Sequence, residues 1–338
     1  MVGKLTPNDQ LSASEIPVLM GASRFMTVNE LLKQKMDVIS GIEPEFKSNE
    51  SMDWGNRLEA MILNESAVRL GLGNPKTNHD KPYFHESLPF ACSLDGSVKG
   101  NNKTIMTDIN TGVICANADE IVMDGEGILE AKLTAHDVES ANELPLYRGV
   151  LQLQMQMDTY GTKWGAVCVL YKGTTLKVFV YQRDEEVIAR IHEAITDFQR
   201  RLDKYKNNDE VEWYDIQDTR EAASIFDEAE KTEIELSDKA EHVKKIVQIR
   251  EMIADLEDKQ KELEVEVMKD MRDHAYAKAG DYHVTWTMIN YKATPEKVVP
   301  AKPARTIRAS KLRIRELGNG WLAILIRNRR TSARVRAR

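Results

Sequence analysis

The stretch Gly127–Thr134, GILEAKLT, limits what this chain can fold into more than any other. Ile128, Leu129 and Leu133 make an apolar run of strand length, with glycine before it and threonine after. Glu130 and Lys132 interrupt the run two residues apart. Residues i and i+2 of a strand point to the same side, so an acid and a base project together from an otherwise apolar strand. Unpartnered charges are costly in a sheet interior. Such a strand either carries a cross-strand ion pair at a sheet edge or presents a reactive site. Two other acid-x-Lys triplets lack this setting. Glu45-Phe46-Lys47 lies in a proline-containing loop, and Glu257-Asp258-Lys259 lies in a helical segment, where i and i+2 do not share a face.

The elements around that strand read as a mixed α/β layer architecture. LSASEIPVLMGASRF opens as a helix, with Ser12 and Glu15 forming a capping box and Gly21 ending the first turns. In SMDWGNRLEAMILNESAVRLGLG, residues Trp54, Leu58, Met61, Ile62 and Val68 mark an apolar helix stripe. Glu59 falls beside that stripe, Glu65 on it, and Gly71 ends the helix. LPFACSLDGSV is a strand. TGVICANA and DEIVMDGEG read as a hairpin, and ILEAKL follows. A helix starts at Pro145, and KWGAVCVLY and LKVFVYQ are two strands joined by KGTT. DEEVIARIHEAITDFQRRLDKYK is an amphipathic helix with Val187, Ile191, Ile195, Phe198 and Leu202 on one face.

The character changes near residue 206. Ile246, Ile249, Ile253, Leu256, Leu263 and Val267 alternate steps of three and four, with Gln260 at one seam position. We expect three regions: a core over 1–205, a helical hairpin or coiled coil over 206–280, and a short strand with a basic, irregular tail over 281–338. Residues 299–338 hold 12 Lys and Arg against one acid, Glu316; this +11 leaves −18 on the rest of a chain whose net charge is −7. A basic tail on an acidic body suits contact with a polyanion. No run reaches the roughly 18 apolar residues of a membrane span, and MVGKLTPNDQ lacks the apolar core of a signal peptide. Three scattered cysteines, Cys92, Cys115 and Cys168, fit buried thiols in a reducing cytoplasm rather than a disulfide framework.

Further polar residues stand out. Asp95 ends an apolar strand next to Gly96, and pairing of its strand with that of Glu130 would set the two carboxylates side by side. Adjacent carboxylates need neutralising, which a divalent cation does. Gln152, Gln154 and Gln156 are spaced by two. On a helix each such step turns about 200°, so Gln152 and Gln156 share a face and Gln154 points away.

WGNRLEAM, CSLDG, LEAK and LQLQMQM followed by Trp164 occur in the order seen in PD-(D/E)XK nucleases of the lambda-exonuclease/YqaJ type, the phage recombination exonucleases. The resemblance covers about residues 10–205. It implies a restriction-endonuclease-like mixed-sheet core flanked by helices, here with a C-terminal helical hairpin. It implies that Asp95, Glu130, Glu59 and the backbone carbonyl of Ala131 hold Mg²⁺ or Mn²⁺. Lys132 resembles the catalytic lysine, and Gln152 the motif glutamine 12 residues before Trp164. Gln154 is the second glutamine of that motif. Ser23 of the GAS match, Arg24 and Gln154 would touch DNA. Leu94 stands where proline is usual, and Ile16 and Pro17 stand where an arginine is often found before GAS. The implied activity is Mg²⁺-dependent digestion of linear duplex DNA, 5′ to 3′, leaving 3′ overhangs for phage-type homologous recombination in a bacterial host cytoplasm. The implied partners are DNA ends, further copies of the chain in a ring, and a single-strand annealing protein. Two other readings stay open: a PD-(D/E)XK endonuclease acting on branched or single-stranded DNA, and a non-enzymatic coiled-coil adaptor that binds nucleic acid.

Overall fold

A computed structural model describes residues 6–44, 48–77, 79–138, 143–227, 230 and 232–289. The proline-rich segment and the basic tail lie outside these residues. The chain divides into two compact units, Met1–Ile225 and Phe226–Arg338.

The first unit is built on a five-stranded sheet in the order β4-β8-β9-β10-β6. Its strands are β4 (Gly96–Lys99), β6 (Val113–Cys115), β8 (Glu126–Thr134), β9 (Trp164–Tyr171) and β10 (Thr175–Gln182). β8 runs parallel to β9 and antiparallel to β4; β10 runs antiparallel to β9 and parallel to β6. The sheet is therefore mixed, as expected. Two apolar layers cover it. On one side α3 (Glu50–Arg69) packs Ile62, Leu63 and Ala67 against Leu129, Ala166 and Cys168. On the other, Ile128 and Val167 meet a layer drawn from α1 (Ile16–Leu19), α2 (Val28–Ile39), α4 (Leu151–Tyr160) and α5 (Glu185–Lys206). A small sheet joins β1 (Leu11–Ser12), β2 (Tyr83–Phe84) and β3 (Phe90–Cys92).

Short-range signals set several element ends. The Glu15 carboxylate accepts from the Ser12 N–H at 2.8 Å, the backward half of a capping box. Asp184 caps α5 by accepting from the N–H groups of Glu186 and Val187 at 3.1 and 3.0 Å. Gly71 takes the left-handed conformation after α3.

One expectation is corrected. TGVICANA and DEIVMDGEG do not form a hairpin. β6 joins the central sheet beside β10, whereas β7 (Glu120–Val122) pairs with β5 (Thr104–Met106) in a separate sheet. Val113 and Ile114 are both buried, on opposite faces, so β6 needs cover on two sides; β7 buries only Ile121 between two exposed residues. The first unit also runs past residue 205. Asn29 of α2 donates to the Tyr214 carbonyl at 3.1 Å and to Glu221 at 2.9 Å, and Arg201 stacks over Tyr214 at 3.9 Å. These bonds dock the segment leading into α6 (Thr219–Ile225) onto the core. The second unit carries one long helix, α7 (Ala240–Met271), preceded by a 3-10 turn at Ser237–Lys239 and followed by an antiparallel pair, β11 (Tyr276–Ala279) and β12 (Tyr282–Thr285). Among the described residues no helix is long and apolar enough to cross a membrane.

Candidate active site

β8 is an interior strand whose neighbour β4 stops short. β4 pairs with β8 only as far as Gly96 opposite Leu129. One further step of that register sets Asp95 opposite Glu130, as the strand pairing expected from sequence requires. With the ladder ended, the Ala131 N–H has no β4 carbonyl; it donates instead to Asp95 Oδ2 at 2.9 Å. Glu130 and Lys132 share a face with Ile128 and so turn toward α4.

α4 answers with amides. Gln152 Nε2 donates to Glu130 Oε1 at 2.7 Å, and Gln156 Nε2 donates to Glu130 Oε2 at 2.8 Å. Lys132 Nζ donates to Glu130 Oε1 at 2.6 Å and to Gln152 Oε1 at 3.0 Å. Glu130 is 1 % exposed, so these three donors replace the water it has lost. Gln156 also donates to the Ser93 carbonyl at 3.1 Å, tying α4 to the loop that carries Asp95.

Glu59 reaches this group from α3. Its place on the helix differs from the sequence reading. Met61 and Val68, assigned to the stripe, are 67 % and 68 % exposed, and Trp54 is exposed as well. The buried face is Ile62, Leu63, Ser66 and Ala67, with Leu58 and Glu59 half-buried at its leading end. Apolar residues on both flanks of α3 blur its phase in sequence. Burial and Glu130 together raise the Glu59 carboxyl above its usual range, with Lys132 opposing. Asp95 is pushed up well above that range by burial and then by Glu130. Burial works to lower the Lys132 ammonium, but Glu130, Asp95 and Glu59 outweigh it and hold it up, so Lys132 is a cation among acids.

A kink shapes the wall behind Lys132. Before α4 the backbone departs from helical geometry at Arg148 and at Gly149, where φ is +91°. A Cβ on Gly149 would lie 3.1 Å from Lys132 Cε and 3.2 Å from Val167 Cγ1. Gly149→Ala is therefore expected to displace Lys132 and to strain the backbone by about 1–3 kcal/mol. Any reaction that Lys132 serves should slow at least about tenfold, with Gly149→Ser no better; thermal melting beside single-turnover rates checks this. Two residues earlier the Tyr147 ring has two guanidinium groups near it, Arg24 at 5.2 Å and Arg148 at 5.5 Å from its centroid. Arg24 is exposed there; Ser23 Oγ accepts from the Phe25 N–H at 3.2 Å.

The structure thus brings together Asp95, Glu130, Lys132, Gln152 and Glu59, with Ala131 held between them. Gln154 does not join them. It is buried, its Nε2 donates to the Gln182 carbonyl at 3.0 Å, and its Oε1 accepts from the Asp184 N–H at 2.9 Å. It clamps the end of β10 to the start of α5. Gln156 was missed as a site residue, although its i+4 relation to Gln152 announced the shared face.

A second polar cluster sits on the opposite side of α4. One ligand atom each of His85, Asp158 and His192 lie within 4.8 Å of one another. His85 Nε2 and His192 Nε2 meet Asp158 Oδ2 at 3.0 and 2.6 Å, and Arg183 donates to Oδ1 at 2.6 Å. His85 Nδ1 accepts from the N–H groups of Ser87 and Leu88 at 3.2 and 3.1 Å. The ring proton therefore sits on Nε2 and faces the carboxylate, where a metal would need the lone pair. With a guanidinium alongside, the cluster suits an ion network better than a cation site. Burial works to raise Asp158, but His192, His85 and Arg183 outweigh it and hold the carboxyl below its usual range.

Residues 7–163 match the family described as a YqaJ-like viral recombinase domain, and the match takes in all four motifs up to Met157. A Bacillus subtilis (strain 168) protein, described as uncharacterized protein YqaJ, is 22% identical over 290 residues, which is 82% of this chain and 79% of that protein. Among solved structures, an alkaline exonuclease (LHK-Exo) from Laribacter hongkongensis is 17% identical with a TM-score of 0.42, over 60% of this chain and 91% of that one. A phage related exonuclease from Haemophilus somnus 129PT is 13% identical with a TM-score of 0.42, over 59% of this chain and 96% of that one.

Proposed function

We propose that the YqaJ-like viral recombinase domain of residues 7–163 makes this chain a metal-dependent exonuclease that hydrolyses linear double-stranded DNA. The observation that carries the reading is the cluster on β8: Glu130 bonded to Lys132 at 2.6 Å, with Asp95 holding the next backbone N–H at 2.9 Å. Asp95, Glu130, Glu59 and the Ala131 carbonyl would hold Mg²⁺ or Mn²⁺. The donor set fits a hard cation. Three carboxylates face one ammonium, and Glu59 and Asp95 are raised by burial first and then by the charge of Glu130, an excess that a divalent ion relieves. Gln156 Oε1 is also buried without a partner among the described residues, a spare acceptor beside those carboxylates. When bound, the ion polarises the phosphate and lowers the pKa of its water.

The chain's own residues do the rest. Lys132, kept as an ammonium by its acidic neighbours, donates to the attacking water and to the phosphate oxygen that gains charge. Gln152 fixes the direction of the Lys132 head, and Gln156 fixes Glu130. Arg24 and Arg148, both close to the Tyr147 ring, form the basic rim that takes DNA phosphates, with Ser23 beside them. The family supplies the finer reading: 5′-to-3′ digestion to 3′ overhangs, a homo-oligomeric ring for processivity, a single-strand annealing protein as partner, and phage-type recombination in a bacterial cytoplasm.

The test is nucleotide release from linear and covalently closed duplexes of one sequence, with Mg²⁺ and with chelator. Release from the linear form alone, abolished by chelator, is expected. Cutting of the circle would move the reading to an endonuclease. DNA binding without any Mg²⁺-dependent hydrolysis would leave the coiled-coil adaptor.

A further inference from the structure

We propose that α7 is one strand of a parallel, two-stranded coiled coil whose other strand is a second copy of this chain. Met271 is the only residue of this 32-residue helix that is buried. Six of its apolar residues nevertheless recur at heptad spacing along one seam, while Val247, Met252, Val265 and Met268 lie off it. Ile246, Ile253, Gln260 and Val267 occupy the first position of successive heptads, and Ile249, Leu256 and Leu263 the fourth. Leu256 and Leu263 are 63 % and 64 % exposed, and Ile249 and Ile253 are half exposed. Three heptads of such a seam are a coiled-coil pattern. A single surface helix does not keep leucines at this spacing in water without cover. Paired along its length, the seam buries on the order of 1,200 Å² over both helices, the lower end for a specific interface.

The residue types choose the partner and the direction. β-branched residues at the first position with leucine at the fourth favour two parallel strands; Ile249 at a fourth position and Gln260 at a first depart from that rule. Gln260 sits inside the seam. In a parallel, in-register pair it faces Gln260 of the second copy, and the two amides satisfy each other. In the antiparallel pairing with most overlap it faces Ile249, and its only side-chain partner is Glu264 of its own helix, to which Nε2 donates at 2.8 Å, so its carbonyl oxygen is buried without a donor. Flanking charges are mixed in the parallel pair: Lys259 meets Glu264 of the second copy, but Lys245 meets Arg250. Exposed charge pairs contribute far less than an unpaired buried amide costs, so Gln260 decides the direction. A polar seam residue that pairs best with itself points to self-association rather than to a different protein.

The full-length chain tests this by light scattering after size exclusion. Wild type should show twice the mass of the Leu256→Asp/Leu263→Asp variant. Equal masses, or a ratio of three, would overturn the proposal. Where the charged variant unfolds by circular dichroism, Leu256→Ala/Leu263→Ala takes its place with the same expectation. A separate readout fixes direction. Gln260→Cys in a Cys115→Ser background should give a covalent dimer on mild oxidation, and its absence would rule out the parallel register. Neither readout depends on hydrolysis of DNA, so failure here leaves the nuclease reading untouched.

Discussion

Lys132→Met is expected to lower DNA hydrolysis by about 10³-fold, some 4 kcal/mol of transition-state stabilisation, while the chain still folds. Methionine keeps the length and the aliphatic stem that packs beside Gly149, and removes the charge. Removing one partner of a buried ion pair commonly costs about 3–5 kcal/mol because the other charge is stranded. Here the loss should be smaller, since Glu130 keeps amide donors from Gln152 and Gln156 at 2.7 and 2.8 Å. Lys132→Arg should not rescue activity. The planar guanidinium needs width that the wall at Gly149 and Val167 does not offer, and it cannot copy a compact ammonium. Single-turnover digestion of linear duplex under saturating enzyme, with a thermal melt of each variant, separates chemistry from folding. A Lys132→Met enzyme within a few-fold of wild type would show that the acid-base pair on β8 only holds the sheet together.

The second large effect runs in opposite directions for stability and activity. Asp95→Asn should abolish hydrolysis, yet stabilise the metal-free protein at pH 8 by about 1–4 kcal/mol, as when buried ionic groups give way to neutral ones. The sign follows from the raised Asp95 carboxyl, whose causes are burial and then Glu130. A carboxyl with a folded-state pKa above its unfolded value of about 3.9 favours the protonated fold. Below about pH 4 both states are protonated and wild type bears no penalty. As pH rises from there through the folded-state pKa, wild type loses stability, and the asparagine variant does not. Asparagine Oδ1 can still accept from the Ala131 N–H. The two proteins should thus melt alike near pH 4 and diverge by several degrees at pH 8. Adding Mg²⁺ at pH 8 should raise the wild-type melting temperature and leave the variant nearly unmoved. Wild type melting above the variant at pH 8 without metal, or equal Mg²⁺ stabilisation of both, would contradict the assignment of Asp95 to a cation site.

The legible parts of the molecule are those written in short-range patterns. Strands β8, β9 and β10, helix α5 with its cap at Asp184, and the left-handed Gly71 follow from alternation, helical period and cap chemistry within a few residues. The pairing of Asp95 with Glu130 was also readable, because two strands of known phase have few registers that keep both faces buried. The phase of α3 was not readable. Met61, Val68 and Trp54 are as apolar as Ile62 and Leu63, and only packing against the sheet selects the face that carries Glu59 inward. Gln154 and Gln156 show the same limit. They are identical in type and two residues apart, yet one clamps the β10–α5 turn and the other holds Glu130. The departure of β6 from its expected hairpin needed the partner strand β10, 65 residues away at Cys115–Val180.

The sequence by itself determined the chemistry available: an acid and a lysine on one face of an apolar strand, a carboxylate at the end of its neighbour, and a glutamine pair on one helix face. These are properties of period and residue type, which act locally. Tertiary structure alone decided which acid on α3 joins them, which glutamine faces Glu130, and that Gly149 makes room for Lys132. Each of those choices depends on burial of one surface against another, and burial is a relation between segments that no single segment contains.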